Sequence, residues 1–240
     1  MPDSTGREGQ VFKRVGNYDL YQCIGQGSFA SVYRGQHRVS GRVLAVKAIV
    51  RARLNKKLQD NLDAEISIMQ SLQHPNIVRL SDVQTTERHV YIVLEFCPGG
   101  DLNKLIRSKG AQSEAQTLVY LAQLVYGLRH LRQRNLIHRD LKPQNLLLSS
   151  HAPDAVLKIA DFGFARYMLQ QDMAETLCGS PLYMAPEILR FQKYDAKADL
   201  WSVGAIVYEL LTARTPFTGA NHVQVRQMCQ IGMPSGEGFA

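Results

Sequence analysis

The segment His138–Asn145, which reads HRDLKPQN, constrains this chain more than any other feature of its sequence. Together with Asp161–Gly163, it places a potential base and two oxygen ligands for a metal in a short run of loops. Phosphoryl transfer requires little more, because that chemistry depends mainly on positioning and on neutralising phosphate charge. Asp140 can accept the proton of an attacking hydroxyl, while Asn145 and Asp161 can hold the magnesium ions that bridge nucleotide phosphates.

A turn with two glycines lies upstream, between the extended segments Tyr18–Ile24 and Ser31–Tyr33. Alternate glycines allow positive φ and let the backbone approach phosphate oxygens. A dinucleotide-binding fold also uses such glycines, but it expects a helix directly after the loop, whereas Ser31–Tyr33 is β-branched and aromatic. The turn is therefore predicted to cover nucleotide phosphates, with contacts from Ile24, Gly25, Gln26, Gly27 and Ser28.

The next predicted strand, Val43–Lys47, ends in a lysine that can reach the phosphates. A lysine inside a domain needs an acidic partner, because an unpaired buried ammonium is costly. Apolar residues from Leu54 to Met69 recur at spacings of three and four, which predicts an amphipathic helix. Glu65 lies on or beside the apolar face of that helix and is the predicted partner of Lys47.

From about Tyr18 almost to its C-terminus, the chain resembles a eukaryotic protein kinase. The resemblance implies an α+β, bilobal fold with an N-lobe of antiparallel sheet plus helix, and a mostly helical C-lobe that lacks its last helices. The expected parts are a disordered leader (1–17), an N-lobe with hinge (18–97), a partial C-lobe (98–231) and an irregular tail unlike a kinase (232–240). ATP and Mg²⁺ are the implied cofactors.

Several residues resemble features of Ser/Thr protein kinases, whereas tyrosine kinases carry a different catalytic-loop pattern. Lys142 resembles the lysine directed at the γ-phosphate, and Ser180 resembles the hydroxyl that ties the catalytic loop to the substrate-binding loop. Asp199 resembles the buried aspartate that holds the catalytic loop. The implied enzyme is a non-specific serine/threonine protein kinase, with catalytic residues Asp140, Lys142, Lys47 and Glu65 and metal ligands Asn145 and Asp161.

The same resemblance assigns the remaining nucleotide contacts. Leu94 is the implied gatekeeper behind the adenine, and the backbone of Glu95 and Cys97 is the implied hydrogen-bonding edge. The other implied contacts are Val32 and Ala45 above the ring, Leu147 below it and Asp101 at the ribose. An apolar column of the active arrangement is implied for Leu80, Met69, Phe162 and His138.

Regulation is predicted at Thr176, in the loop between Asp161 and Glu187. Phosphorylation there would add nearly two negative charges and three acceptor oxygens. Arg139 and Arg166 could clamp that phosphate, which would make the loop a two-state element.

Three strings resemble the ULK family, the kinases that initiate autophagy: EFCPGGDL (Glu95–Leu102), DFGFAR (Asp161–Arg166) and TLCGSPLYMAPE (Thr176–Glu187). Relatives of calmodulin-dependent kinases are the competing subfamily. The ULK resemblance implies Ser/Thr protein substrates and subunits of an autophagy complex as partners. It also implies a cytoplasmic protein, recruited to membrane surfaces such as the phagophore site.

Composition excludes several other classes. The net charge is +7, but the basic residues are spread over many segments without a nucleic-acid motif, so no nucleic-acid partner is expected. No stretch is long enough to span a membrane. The four cysteines are scattered without metal-ligand spacing, which favours reduced thiols.

The C-terminal sequence departs from the kinase pattern. Gly232–Gly238 is rich in helix-breaking residues, where a complete kinase domain would continue with further helices. We therefore expect a truncated domain, which leaves open a nucleotide-binding or scaffold protein without activity. That alternative would require the loss of a catalytic residue, and the sequence retains all of them.

Overall fold

The computed structural model describes residues 10–27, 30–163, 166–167, 181–190, 192, 195–219 and 221–231. The chain divides into two compact units, one of Met1–Gln73 with Val78–Pro98 and the other of His74–Ile77 with Gly99–Ala240. Strands dominate the described part of the first unit and helices that of the second, so the predicted α+β class is confirmed.

The described part of the first unit contains six strands and one α-helix. These are β1 (Lys13–Val15), β2 (Tyr18–Gln26), β3 (Ala30–His37), β4 (Val43–Val50), α1 (Lys56–Ser71), β5 (Leu80–Thr85) and β6 (His89–Glu95). The strands form an antiparallel sheet in the order β1-β2-β3-β4-β6-β5. Helix α1 begins at an Asn55 cap, whose side chain accepts a hydrogen bond from Leu58 N.

Both faces of this sheet carry apolar side chains. Successive side chains on a strand point to opposite sides, so different residues line the two faces. On one face, Ile92 of β6 packs in a cluster with Leu62 of α1. On the other face, Tyr91 packs in a second cluster with Leu20 and Val46. The sheet therefore separates a helix-covered face from a face closed by its own curvature.

The curvature brings the two edges of the sheet together. Tyr18 Oη on β2 donates to Asp82 Oδ2 on β5 at 2.9 Å, and Lys13 Nζ on β1 donates to Tyr91 Oη on β6 at 2.7 Å. Burial, followed by the bond to Asp82, raises the pKa of Tyr18 to about 12. The tyrosine consequently stays a neutral donor across the physiological range.

Residues 1–17 were predicted to be a disordered leader, but strand β1 shows that residues 13–15 are part of the sheet. Lys13 pairs with Leu20 in register, and Phe12 N donates to Leu20 O at 2.7 Å. Val15 is buried beside Tyr18 in the sheet core. Because only one residue of this three-residue strand enters the core, its apolar pattern is too short to be read from sequence.

The described part of the second unit contains five α-helices and four short strands. Its elements are α2 (Leu102–Lys109), α3 (Glu114–Gln133), β7 (Leu136–Ile137), β8 (Leu146–Leu148), β9 (Leu157–Ile159), β10 (Arg166–Tyr167), α4 (Pro186–Leu189), α5 (Lys197–Thr212) and α6 (His222–Ile231). Strands β8 and β9 pair with each other, as do β7 and β10. Helix α3 packs against β9 and α5. Among the helices of the described ranges, none combines the length and hydrophobicity that crossing a bilayer requires.

A close backbone approach fixes the start of the second unit. Gly99 N donates to Leu148 O at 3.1 Å, and Leu148 N donates to Gly100 O at 2.8 Å. A Cβ at position 99 would lie 2.1 Å from Ser150 O, so only glycine fits there. The segment before α2 is thereby held against β8.

Two histidines of the second unit lie against each other and should make its stability depend on pH. The rings of His74 and His130 are 4.8 Å apart, and the pKa of each is lowered, first by burial. Positive charge adds to this effect, from Lys158 and Arg134 at His74, and from Arg134 at His130. The folded protein therefore binds fewer protons than the unfolded chain just below the ordinary histidine pKa of 6.5.

We expect stability to be full above pH 6.5 and to be lost progressively as the pH falls below that value. The measurement is the urea midpoint between pH 7.5 and 5.5. His130→Gln should flatten this dependence, whereas His151→Gln, at an exposed loop position, should leave it unchanged. An equally steep loss in the His130→Gln protein would contradict the assignment to this pair.

Candidate active site

Lys47 and Glu65 form an ion pair within the first unit, with 3.0 Å between Nζ and Oε1. Lys47 lies inside β4, where it pairs with Ile92 of β6. It is two residues from Ile49, so both side chains lie on the same face of the sheet, the face covered by α1. Glu65 of α1 is 7% exposed. The ion pair offsets part of the cost of removing both charges from water. The predicted pairing is therefore present in the structure, although β4 continues past Lys47 to Val50.

The described neighbours of Gly25 and Gly27 leave space around both glycines. Gly25 pairs with Val32 across β2 and β3, and Gly27 N donates to Ala30 O at 2.8 Å. Neither Gly25 nor Gly27 is among the described residues with positive φ, and a Cβ at either would come no nearer than 3.6 Å to its neighbours. Among the residues that the structure describes, none therefore requires a glycine at these positions, whereas a closely approaching phosphate would.

Two of the other residues predicted for this turn lie in the described part of the chain, and one does not. Ile24 and Gln26 lie in β2, and Ile24 is exposed. Ser28 lies outside the described residues.

The predicted adenine contacts of the first unit lie on β3, β4 and β6 and just after β6. Ala45 and Leu94 are directly opposite in the register of the two strands. Glu95 N donates to Arg79 O at 2.9 Å, so this N–H is used within the unit. Cys97 is half-buried two residues beyond the end of β6.

Asp101 and Leu147 are neighbours in the second unit, where they form an isolated β-bridge. Asp101 also caps α2, because its Oδ1 accepts from Lys104 N at 2.8 Å and its Oδ2 lies 3.7 Å from Lys104 Nζ. This structural role was missed in the sequence, although an Asp directly before a helix is a capping signal. A ribose contact at Asp101 would have to share the carboxylate with this cap.

Lys142 and Asn145 converge on one oxygen of Asp140. Lys142 Nζ lies 2.7 Å from Asp140 Oδ2, and Asn145 Nδ2 lies 3.0 Å from the same oxygen. Asn145 Nδ2 also donates to Asp140 O at 2.8 Å, so Asn145 Oδ1 is not engaged by Asp140. Asp140 and Asn145 are 5% and 6% exposed, which limits competition from water. The three predicted residues thus form one hydrogen-bonded group.

Asp199 of α5 holds the backbone that precedes Asp140. Its Oδ2 accepts from His138 N and its Oδ1 from Arg139 N, both at 2.9 Å. Burial raises the pKa of Asp199, while the hydrogen bonds from His138 N and Arg139 N and the positive charge of Arg139 oppose that shift. Arg139 has a left-handed backbone with a φ of 72°, which a non-glycine residue keeps only when its surroundings impose it.

His138 links the loop of Asp140 to the strand end before Asp161. Its Nδ1 is 3.4 Å from Asp140 N, and its Nε2 is 3.1 Å from Ala160 O. These partners suit a neutral imidazole that carries its proton on Nε2. The predicted apolar column included His138 only as a packing residue, and its ring does lie 5.1 Å from that of Phe162. The hydrogen bonds were missed because nothing in the sequence identifies the partners of a buried histidine.

Asp161 is placed next to Asn145 by the backbone. Ala160 N donates to Asn145 O at 2.9 Å, and the fully buried Phe162 anchors the other side of Asp161. Asp161 itself is exposed and has a φ of 63°. Within the described ranges, no three His, Cys, Asp or Glu side chains cluster as a metal site. Magnesium commonly uses one or two protein oxygens together with substrate phosphates, so Asn145 and Asp161 fit it.

The predicted regulatory residues are only partly described. Thr176 lies outside the described residues, as does Ser180. Arg166 pairs with Ile137 through the backbone of β10 and β7. The phosphate clamp of Arg139 and Arg166 around Thr176 stays a prediction.

Comparison with known families resolves the class of protein. The protein kinase domain family matches residues 18–235. The chain belongs to the protein kinase family. This kinase domain is 54% identical over 224 residues to serine/threonine-protein kinase ATG1b of Arabidopsis thaliana. The matched region covers 93% of the chain and 31% of that relative.

Two other relatives give the same picture. Serine/threonine-protein kinase ATG1c of Arabidopsis thaliana is 55% identical over 227 residues, covering 95% of the chain and 30% of the relative. Serine/threonine-protein kinase apg-1 of Neurospora crassa is 42% identical over 270 residues, covering 92% of the chain and 28% of the relative. The predicted resemblance to Ser/Thr kinases is confirmed by these names. The chain spans about 30% of the length of these curated relatives.

Proposed function

We propose that this kinase domain transfers the γ-phosphate of ATP to serine and threonine hydroxyls of proteins. The observation that carries the proposal is the convergence of Lys142 and Asn145 on Asp140 Oδ2. Asp140 orients the acceptor hydroxyl and takes its proton. Lys142 supplies positive charge beside the transferred phosphoryl group, which is where such transfer needs it.

The nucleotide-binding part of the proposal rests on the first unit. Lys47, held by Glu65, binds the α and β phosphates. Gly25 and Gly27 let the backbone approach the same phosphates without a Cβ in the way. The adenine lies against Ala45 and Leu94, with main-chain groups of Glu95 and Cys97 as its hydrogen-bonding edge.

Magnesium is the metal that the donor set favours. Asn145 and Asp161 offer the amide and carboxylate oxygens that a hard cation prefers. When bound, Mg²⁺ neutralises phosphate charge. The protein's own contribution is to hold these two residues next to each other through the Ala160 N to Asn145 O bond.

The finer function that we propose is initiation of autophagy. The ATG1-named relatives and the EFCPGGDL, DFGFAR and TLCGSPLYMAPE strings support it. The partners would then be Ser/Thr protein substrates and subunits of an autophagy complex. The location would be the cytoplasm, with recruitment to membrane surfaces such as the phagophore site.

The purified chain should phosphorylate serine and threonine versions of a peptide in the presence of ATP and Mg²⁺, and leave the tyrosine version unmodified. The measurement is radiolabel transfer, with Asp140→Asn as the inactive control. ATP binding without transfer would overturn the proposal and favour an inactive nucleotide-binding protein. The autophagy assignment is tested by expressing the chain, joined to the remainder of an Arabidopsis ATG1 kinase, in plants that lack those kinases. No rescue of autophagy would contradict it.

A further inference from the structure

A basic cavity lies in the first unit, where the two edges of its curved sheet meet. The cavity has a volume of about 580 Å³ and is lined by residues 13–16 of β1 and its turn, and by residues of the β5–β6 hairpin. That volume is in the range of cavities that take small ligands. The face concerned belongs to the cluster of Tyr91 and Leu20, on the side of the sheet away from α1.

Positive charge predominates in this cavity. Its lining contains Lys13, Arg14 and Arg88, against one carboxylate, Glu87. Arg14 is neutralised by Asp19 at 3.1 Å. Among the residues that the structure describes, no carboxylate lies within 4.0 Å of the Lys13 or Arg88 side chain nitrogens. Within the described part of the chain, these two cations of the cavity lining therefore keep their charge available for a ligand.

Two polar side chains are held against a single buried ring. Lys13 Nζ donates to Tyr91 Oη at 2.7 Å and lies 5.4 Å from the ring centroid. The His89 ring stacks on the same tyrosine, with 5.5 Å between centroids. Tyr91 is 1% exposed, so it is a fixed platform for both side chains. Lys13 is thereby positioned rather than left to sample many conformations, which lowers the entropy lost on binding.

The electrostatics of His89 support a positive potential in the cavity. Burial lowers the pKa of His89, and the positive charges of Lys13 and Arg88 lower it further. Both cations therefore contribute to the positive potential at the His89 ring. The hairpin turn that carries Arg88 is itself fixed, because Arg51 N donates to Arg88 O at 2.9 Å and Arg51 Nη1 donates to Thr86 O at 3.2 Å.

We propose that this cavity binds a phosphate monoester, carried by a phosphorylated serine or threonine of a peptide. Arg88 supplies the fork of N–H donors that matches phosphate oxygens, and Lys13 supplies a point charge beside it. A concave cavity of this size suits a single side chain better than a flat membrane surface. The site lies wholly within the first unit and does not rest on the proposed kinase activity.

The test is the anisotropy of a fluorescent phosphoserine peptide, with the purified chain in EDTA and without nucleotide. Arg88→Gln should weaken binding about tenfold or more, since hydrogen bonds to charged groups are worth at least that factor. Lys13→Gln should act in the same direction, but it also removes the bond to Tyr91, so Arg88→Gln is the decisive variant. Arg42→Gln, an exposed arginine of the first unit, and Lys142→Ala, in the second unit, are the matched controls and should bind normally. Inorganic phosphate should compete with the peptide.

Four results would overturn the proposal. One is unchanged peptide affinity in Arg88→Gln, and another is loss of binding in Lys142→Ala, which would place the phosphate in the second unit. A third is equal affinity for the unphosphorylated peptide or for a version with aspartate in place of phosphoserine. The fourth is binding to vesicles that contain phosphatidylinositol phosphates without any binding to the peptide.

Discussion

Replacing Asp161 by alanine is expected to abolish phosphoryl transfer, with a loss of about a thousandfold or more. The variant removes a carboxylate proposed to hold Mg²⁺ and leaves Asn145 as the other proposed ligand. Because Asp161 is exposed, its removal should cost little folding stability. The measurement is the initial rate of radiolabel transfer to a serine peptide, together with the thermal midpoint.

Asp154→Ala is the matched control for this experiment, because Asp154 is also an exposed loop carboxylate of the second unit. Its rate should stay within about twofold of the parent, as expected for a surface change away from the site. An Asp161→Ala protein that keeps its full rate would sink the metal assignment. Loss of activity together with a large loss of stability would count against a direct chemical role.

The largest loss of stability is expected from Asp199→Ala. The change leaves two buried backbone donors, His138 N and Arg139 N, without their acceptor. Each such group costs about 1–3 kcal/mol, so the total is about 2–6 kcal/mol out of a typical stability of about 5–15 kcal/mol. For a chain of this size, the thermal midpoint should fall by about 5–20 °C.

Asp195 offers a control with the same chemistry in a different environment. Its Oδ1 also accepts a backbone hydrogen bond, from Lys197 N at 2.8 Å, but the residue is exposed. Water can replace the lost acceptor there, so Asp195→Ala should cost about 1 kcal/mol or less. Equal midpoints for the two variants would show that burial of the Asp199 hydrogen bonds has little effect on stability.

Contacts that follow from a local sequence pattern or from a simple charge requirement could be predicted from the sequence. The pairing of Lys47 with Glu65 followed from the apolar spacing of α1 and the need of a buried ammonium for a counterion. The grouping of Asp140 with Asn145 followed from the HRDLKPQN string, whereas the place of Lys142 beside them came from the resemblance to Ser/Thr kinases. Apart from that of Lys142, these inferences used a pattern contained within a few turns of chain or a single charge requirement.

Features that depend on distant contacts could not be predicted in the same way. Strand β1 exists because its backbone pairs with β2 and Val15 fills the core of a curved sheet, and three residues of sequence carry no record of that curvature. The two hydrogen bonds of His138 depend on where Ala160 and Asp140 lie in the fold. The capping role of Asp101 was within reach, since an Asp before a helix is a known signal, but the kinase resemblance favoured the ribose interpretation.

Arg139 and Asp161 share a backbone conformation that most proteins reserve for glycine. Each costs about 1–3 kcal/mol relative to a relaxed conformation, and each lies in a segment that carries predicted site residues. Glycine at position 161 would relax the backbone while it removes the carboxylate proposed to bind metal. Selection for thermal stability alone would therefore favour the loss of this carboxylate, and engineering for stability should exclude both positions.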